Sequence, residues 1–128
     1  MKILIAEDEK TLREVLRDEF EHHHFLVETA QDGEEALMKA KAAQMDLILL
    51  DLMLPKKSGF EVLEALQADQ VTKVVPVIIL SNLGQDEDIK RALKLGATDY
   101  FVKAQHPIKE VVEKVKEILL HPPTATRA

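Results

Sequence analysis

The sequence predicts a single α/β domain in which helices cover both faces of a parallel β-sheet. Five short apolar segments rich in branched residues recur along the chain, each separated from the next by a stretch long enough for a helix. Three of these segments are continuously apolar, which is typical of strands covered on both faces. The length of 128 residues matches one ordinary domain. Right-handed crossovers between the strands should therefore place helices on both sides of the sheet.

The predicted strands are the apolar segments themselves. The continuous runs begin at Ile3, Leu47 and Val77, and we expect them to form the central strands because neither of their faces is polar. In chain order the predicted strands cover residues 3–6, 25–28, 47–50, 77–80 and 100–102.

The intervals between the strands carry apolar residues at the period of about 3.6 residues that is typical of a helix buried on one side. Ser58 and Gly59 precede the third stripe and Gly96 follows the fourth, as expected at helix ends. Pro107 suits the first turn of the fifth helix. The five stripes are Leu12, Val15, Leu16 and Phe20; Ala36, Leu37, Ala40 and Ala43; Val62, Leu63 and Leu66; Ile89, Ala92 and Leu93; and Ile108, Val111, Val112, Val115, Ile118 and Leu119.

Composition and charge exclude several classes of protein. With 46% hydrophobic and 31% charged residues, and no apolar run near the roughly 20 residues that a bilayer needs, the chain should fold in water. The net charge of -6 and the aromatic content of 4% argue against direct nucleic-acid binding. Cysteine is absent, which excludes disulfides and thiolate metal sites. Because Glu7 and Asp8 interrupt the first apolar run before a signal peptide could form, we expect a cytoplasmic location and no membrane partner.

Polar side chains follow four of the predicted strands, at the edge where ligands collect in open parallel sheets. They are Glu7 and Asp8 after the first strand, Asp51 after the third, Ser81 after the fourth and Lys103 after the fifth. Three carboxylates repel one another unless cations neutralise them, and a hard divalent ion such as Mg²⁺ would add to the single charge of Lys103. If Asp51 became an acyl phosphate, the metal, Lys103 and the Ser81 hydroxyl could all contact the added group. The pattern therefore predicts a phosphoryl-transfer site.

Four of these five residues have a simpler interpretation when each is taken alone. Asp51 could cap a turn before Pro55, and Glu7 and Asp8 could stabilise the N-terminus of the first helix. Lys103 could be an ordinary surface lysine. The functional interpretation is favoured because the topology should bring all of these side chains to one edge.

Two other features of the sequence do not predict a site. Consecutive helical side chains point about 100° apart, so His22, His23 and His24 cannot converge on one ion and are expected at a solvated helix end. Gly33 and Gly59 are typical of turns or helix boundaries, and the sequence has no Gly-rich phosphate loop. A nucleotide-binding function therefore loses its main support.

Four segments of the chain resemble the receiver domain of bacterial two-component response regulators. The segments are ILIAEDE, LILLDLMLPKKSGFEVL, VPVIILS and GATDYFVK, in the family's order and spacing. The resemblance implies a flavodoxin-like fold with strand order 2-1-3-4-5 and five helices on both faces. It covers residues 1–120, which we expect to form the receiver domain. Residues 121–128 are Pro-rich without an apolar face, and we expect a flexible tail or linker stub there.

The resemblance implies a metal site and a phosphoacceptor. Asp51 would accept the phosphoryl group. Mg²⁺, with Mn²⁺ as the alternative ion, would be held by Asp8, Asp51 and the backbone carbonyl of Met53, and Glu7 would act through a metal-bound water.

The resemblance also implies a switch. Ser81 would hydrogen-bond a phosphoryl oxygen and Lys103 would pair with the phosphate. Tyr100 would change rotamer when Ser81 moves. The face built by the fourth helix, the fifth strand and the fifth helix would then carry the output.

The function implied is phosphorelay signalling, with the phosphoryl group donated by a histidine kinase or phosphotransfer protein. The domain would assist only its own phosphotransfer and autodephosphorylation. Its output partner would be an effector protein or a fused output domain, and the output face could support a phosphorylation-linked homodimer. Two alternatives stay open at this point: a phosphorylation-independent pseudo-receiver, and a small flavodoxin-like hydrolase or cofactor binder.

Two positions depart from the family pattern. Glu7 stands before Asp8 where the family more often has two Asp residues, and the longer side chain keeps the acidic role. Ala104 follows Lys103 where many members have Pro after a cis peptide bond. A cis bond before a residue other than Pro costs about 2.5–4 kcal/mol, so the family's cis bond cannot be carried over to this position, and the conformation of the loop from Lys103 to Pro107 is left open.

Overall fold

Strands and helices alternate strictly in the computed structural model, which describes residues 1–120. The predicted tail over residues 121–128 lies outside the described residues. Within residues 1–120, none of the helices is both long and apolar enough to cross a membrane. The elements are β1 (Lys2–Ala6), α1 (Lys10–His22), β2 (Leu26–Ala30), α2 (Gly33–Ala42), β3 (Leu47–Leu50), α3 (Gly59–Ala68), β4 (Val77–Ser81), α4 (Asp86–Lys94), β5 (Asp99–Val102) and α5 (Ile108–Leu120).

The strands form one parallel sheet in the order β2-β1-β3-β4-β5. This topology confirms the predicted fold class. The three continuously apolar segments form β1, β3 and β4, which lie inside the sheet and are almost entirely buried, as predicted. The edge strand β2 covers Leu26–Ala30 instead of the predicted residues 25–28, because it pairs along the whole length of β1.

The core consists of two apolar layers, one on each face of the sheet. Along β1, Leu4 and Ala6 pack into the layer under α2, α3 and α4, whereas Ile3 and Ile5 pack into the layer under α1 and α5. Successive side chains of a strand point to opposite faces, so one apolar strand supplies both layers. The prediction of helices on both faces is therefore confirmed.

Two residues of the predicted helical stripes are exposed to solvent. Val15 is 44% exposed and Leu93 is 45% exposed. Each is next in sequence to a buried residue, Leu16 or Ala92, and a step of one residue turns a helical side chain by about 100°. Both helices are therefore buried along a narrower stripe than predicted.

The loop that follows β3 is held tightly against the start of α3. The Gly59 N–H donates to the Leu52 carbonyl at 2.9 Å, and a Cβ atom at Gly59 would lie 2.3 Å from the carbonyl oxygen of Asp51. Only glycine allows this close approach of two backbones. Ser58 and Glu61 form a capping box at the N-terminus of α3. The start of α3 thus fixes the backbone on which the Asp51 side chain is carried.

Candidate functional site

The polar edge predicted from the sequence lies at the carboxyl ends of β1, β3, β4 and β5. Glu7 and Asp8 follow β1, Asp51 follows β3, Ser81 ends β4 and Lys103 follows β5. The sheet hydrogen bonds continue into this edge, since the Asp51 N–H donates to the Ala6 carbonyl at 3.1 Å and the Lys103 N–H donates to the Ser81 carbonyl at 2.9 Å. The strands therefore hold the functional side chains in a fixed register.

Lys103 joins two buried carboxylates at the centre of the site. Its Nζ lies 2.7 Å from Glu7 Oε1 and 2.7 Å from Asp51 Oδ2. Glu7 is 2% exposed and Asp51 is 3% exposed. Charge-assisted hydrogen bonds of this length are the strong ones in proteins, so the ammonium group holds the ends of β1, β3 and β5 together.

Burial and ion pairing shift the pKa values of Glu7 and Lys103 in opposite directions. Burial raises the pKa of Glu7 above its usual value, although the hydrogen bonds from Lys103 and from the Glu9 backbone lower it in part. Burial alone would lower the pKa of Lys103, but its hydrogen bonds to Asp51 and Glu7 raise the pKa overall. Lys103 therefore stays protonated beside the two acids.

Backbone groups satisfy the remaining oxygens of both carboxylates. The Glu9 N–H donates to Glu7 Oε2 at 3.0 Å, and the Met53 N–H donates to Asp51 Oδ1 at 3.0 Å. Glu7 is thereby turned inward while Asp8, the next residue, is exposed. The Met53 side chain is exposed as well, and the metal-binding role expected of its carbonyl stays a prediction.

The acidic residues meet the requirements of a divalent metal site. Carboxylate oxygens of Glu7, Asp8 and Asp51 all lie within 4.8 Å of one another. Hard oxygen ligands of this kind suit Mg²⁺, which usually keeps several waters and takes one or two protein carboxylates. The single positive charge of Lys103 leaves two of the three acidic charges uncompensated, and the exposed side of Asp8 gives access from solvent. The residues therefore fit Mg²⁺ in charge, in ligand type and in spacing.

The backbone of Leu83 connects Ser81 to Tyr100. The Leu83 N–H donates to Ser81 Oγ at 3.4 Å, and the Tyr100 hydroxyl donates to the Leu83 carbonyl. Burial, with smaller effects from Asp88 and Asp51, raises the pKa of Tyr100 to about 12. The phenol is therefore a hydrogen-bond donor at neutral pH. The Leu83 backbone therefore links the Ser81 hydroxyl to the Tyr100 hydroxyl.

The loop after Lys103 turns sharply without a cis peptide bond. The N–H groups of Gln105 and His106 both donate to the Val102 carbonyl, at 2.9 Å and 3.1 Å. Residues 1–120 contain no cis peptide bonds. The turn leaves the Lys103 side chain directed at the acids.

The three consecutive histidines lie at the end of α1, as predicted. His22 is the last helical residue, and the His23 N–H donates to carbonyls of the last turn. His24 has a φ of 71°, which ends the helix. This segment lies away from the carboxyl edge of the sheet and contributes nothing to the site.

Two contacts of the site were not predicted from the sequence. Leu83 contributes through its backbone, which no side-chain pattern reveals. Arg13 donates from Nη1 to the carbonyl oxygens of Glu7 and Asp8, at 3.0 Å and 3.2 Å. In the sequence Arg13 is one of several charged residues on α1, and only the folded loop distinguishes it.

The chain is similar in sequence to a known family of signalling domains and to its curated members. The sequence profile of the response regulator receiver domain matches residues 3–116. The chain is 41% identical over 118 residues to the alkaline phosphatase synthesis transcriptional regulatory protein PhoP of Bacillus subtilis, covering 92% of this chain and 48% of that protein. The chain spans about half the length of the curated relatives it matches.

Solved structures that superpose on this chain include response regulators and their receiver domains. A Francisella response regulator receiver domain superposes with a TM-score of 0.86 at 32% identity, covering 93% of this chain and 96% of that one. The response regulator TrrA from Thermotoga maritima, solved in complex with Mg(2+)-BeF, superposes with a TM-score of 0.81 at 32% identity, covering 92% and 98% of the two chains. Because the sequence, the topology and the polar edge at the ends of four strands agree, this chain belongs to the response regulator receiver domain family.

Proposed function

We propose that this domain accepts a phosphoryl group on Asp51 from a phosphohistidine of a histidine kinase or phosphotransfer protein. The observation that carries the proposal is the position of Lys103 Nζ, 2.7 Å from the carboxylates of both Glu7 and Asp51. Asp51 is a buried acid held by a lysine at the edge of the sheet. A phosphoryl group on Asp51 would carry more negative charge than the carboxylate, and the same lysine can bind it.

The transfer is a displacement at phosphorus. A carboxylate oxygen of Asp51 forms the new bond to phosphorus while the bond from phosphorus to the donor imidazole nitrogen breaks. The electron pair of the broken bond stays on that nitrogen, which takes up a proton, and Asp51 becomes an acyl phosphate. Catalysis of such a transfer is mainly positioning and charge stabilisation, so the protein needs no further nucleophile.

Lys103 stabilises the product because its ammonium group already lies beside Asp51. When Asp51 is modified, Lys103 exchanges a bond to the carboxylate for one to a phosphoryl oxygen, with a stronger attraction to the larger negative charge. Glu7 stays within reach of the same ammonium group and keeps it in place.

Ser81 and Tyr100 transmit the modification to the surface. The Ser81 hydroxyl is fully buried, and its oxygen accepts one long hydrogen bond from the Leu83 N–H. When the hydroxyl turns to donate its own hydrogen to a phosphoryl oxygen, this long bond is given up. Movement of Leu83 then releases the Tyr100 hydroxyl. The population shifts toward a second arrangement of the face formed by α4, β5 and α5, which controls the output.

Mg²⁺ would be held by Asp8, Asp51 and the Met53 carbonyl, with Glu7 acting through a water, and Mn²⁺ could take its place. When bound, the ion supplies positive charge that reduces repulsion between the acids and the incoming phosphoryl group. The support is the convergence of three carboxylates that Lys103 alone does not neutralise.

The partners follow from the same proposal. Residues 1–120 form the receiver domain, and the output is carried either by a fused domain or by a separate effector protein. The domain acts in the cytoplasm and assists only its own phosphorylation and hydrolysis. It does not bind nucleic acid directly, and the α4–β5–α5 face could form a phosphorylation-linked homodimer.

Labelling with acetyl phosphate in the presence of Mg²⁺ tests the proposal. Intact-mass spectrometry should show one phosphoryl group on the wild type and none on Asp51→Asn. The label should be released by hydroxylamine, as expected of an acyl phosphate. Asp18→Asn changes an exposed acid on α1 by the same atoms and should label normally. Label retained by Asp51→Asn, or none on the wild type, would contradict the proposal, and the second result would favour a pseudo-receiver.

A further inference from the structure

We infer that Arg13 is a positioning residue of the metal site, and that it holds the loop between β1 and α1 in the shape that presents Glu7 and Asp8. This inference rests on the proposed function, because it concerns the same acidic site. The carrying observation is the pair of hydrogen bonds from Arg13 Nη1 to the carbonyl oxygens of Glu7, at 3.0 Å, and Asp8, at 3.2 Å.

Arg13 contacts three consecutive residues of this loop. Its guanidinium group binds the carbonyls of Glu7 and Asp8, and its backbone N–H donates to the Glu9 carbonyl at 2.9 Å. The N-cap of α1 is Glu9, whose side chain makes no capping hydrogen bond. The loop therefore lacks the usual side-chain cap at its junction with the helix, and Arg13 supplies a restraint from inside the helix.

The loop conformation decides where the two acids point. Glu7 is buried and accepts the Glu9 N–H through Oε2, whereas Asp8 is exposed. Opposite directions for adjacent side chains require a defined backbone between them. By fixing both carbonyls, Arg13 keeps the Glu7 and Asp8 carboxylates within reach of Asp51.

Because Arg13 binds carbonyl oxygens, its guanidinium group does not occupy the carboxylates that would act as ligands. One Nη group carries two hydrogens and can serve two acceptors at once, which explains why an arginine suits this place. A positive charge near a metal site by itself repels a divalent cation. Removal of the charge alone should therefore tighten Mg²⁺ binding, whereas loss of the restraint should weaken it. The two effects have opposite signs.

The variant Arg13→Met tests the inference, with Arg17→Met as the matched control. Both substitutions remove one positive charge from α1 and keep a long apolar stem. Arg17 lines the same shallow groove beside α1 but pairs with the exposed Glu21 at 3.9 Å. Calorimetric titration should show Mg²⁺ binding about tenfold weaker in Arg13→Met, the range found for residues that orient metal ligands. Arg17→Met should bind no more weakly than the wild type.

A second measurement needs no metal. Amide hydrogen exchange at Glu9 reports on the bond from its N–H to Glu7, and it should become faster in Arg13→Met but not in Arg17→Met. Arg13→Ala should reproduce both changes, and thermal unfolding establishes that each variant is folded. Mg²⁺ affinity equal to or tighter than that of the wild type in Arg13→Met would overturn the inference, and so would unchanged exchange at Glu9. Failure of the wild type to bind Mg²⁺ would instead overturn the proposed function, and the exchange comparison would still decide whether Arg13 holds the loop.

Discussion

Two corners of the site are held together in different ways. At the acidic corner, Lys103 binds Glu7 and Asp51 through charge-assisted bonds of 2.7 Å each. At the hydroxyl corner, Ser81 and Leu83 are joined by a neutral hydrogen bond of 3.4 Å. Neutral bonds of this length are weak, whereas short bonds between charged groups are strong. The acidic corner is thus built to stay in place, and the hydroxyl corner can rearrange at low cost.

The helices that follow the two corners differ in how much apolar surface anchors them, and the helix after the acidic corner is the more firmly anchored. The helix α3, which follows the Asp51 loop, buries Gly59, Phe60, Val62, Leu63 and Leu66. The helix α4, which follows the Ser81 loop, has Ala92 as its buried residue. Less apolar surface anchors α4 than α3. We therefore expect a movement of Ser81 to displace α4 more easily than a movement of Asp51 would displace α3.

The largest expected effect comes from Lys103→Met, which breaks the acidic corner. Two buried carboxylates would lose the ammonium group between them, and removal of one partner from a buried pair costs about 3 kcal/mol or more. Urea unfolding without metal should show this loss in the free energy of unfolding, and Mg²⁺ should restore part of it.

The control for this variant is Lys109→Met at an exposed position of α5. It should change stability by no more than about 0.5 kcal/mol. Equal changes in the free energy of unfolding for Lys103→Met and Lys109→Met would mean that the ion pairs of Lys103 do not stabilise the fold.

The next effect concerns metal binding. Asp8→Asn removes an exposed carboxylate, so stability should hardly change, but Mg²⁺ affinity should fall by about tenfold or more because a direct ligand is weakened. NMR titration measures the affinity, and Asp18→Asn serves as the control with the same change of charge. Equal Mg²⁺ affinity in the two variants would remove Asp8 from the ligand set.

A smaller effect is expected at the hydroxyl corner. Tyr100→Phe removes the hydrogen bond from the phenol to the Leu83 carbonyl, which should cost about 1 kcal/mol of stability. Exchange of the Leu83 amide hydrogen should become faster, while Mg²⁺ affinity should not change. Reduced metal affinity in this variant would show that the two corners are coupled before phosphorylation.

The last effect is the pH dependence of that difference, which is absent near neutral pH and is expected only in alkaline solution. The pKa of Tyr100 is raised from 10.0 to about 12, so the folded state favours the protonated phenol. The resulting stability is fully present below pH 10 and is lost as the pH rises to about 12. The stability difference between the wild type and Tyr100→Phe should shrink over this interval in unfolding experiments. A difference that stays constant through pH 12 would contradict the raised pKa.

The order of strands and helices and the position of the site were predicted well because they depend on local patterns of apolar and polar residues. The apolar runs at Ile3, Leu47 and Val77 identified the central strands, and the polar residue after each strand identified the edge where the site lies. The end of a strand can be recognised in the sequence because apolar residues give way to polar residues there. The meeting of Asp51 and Lys103, 52 residues apart, then follows from parallel topology.

Other features depend on tertiary contacts that no local pattern encodes. Glu7 is buried and Asp8 is exposed, although the two acids are adjacent and chemically alike. Lys103 contacts both Glu7 and Asp51 directly, whereas the sequence suggested only that its charge would offset the acids and that it would pair with the phosphate. The roles of the Leu83 backbone and of Arg13 depend on carbonyl directions in folded loops. Such contacts are decided by packing between segments distant in the sequence.

Fluorine NMR of beryllofluoride binding tests the central claim most directly, since beryllofluoride imitates a phosphoryl group on a carboxylate. The wild type should show bound fluorine signals when Mg²⁺ is present and none when it is removed, and Asp51→Asn should show none in either condition. Bound signals that persist in Asp51→Asn, or their absence from the wild type with Mg²⁺, would contradict the claim that the acidic corner holds a transferred phosphoryl group on Asp51.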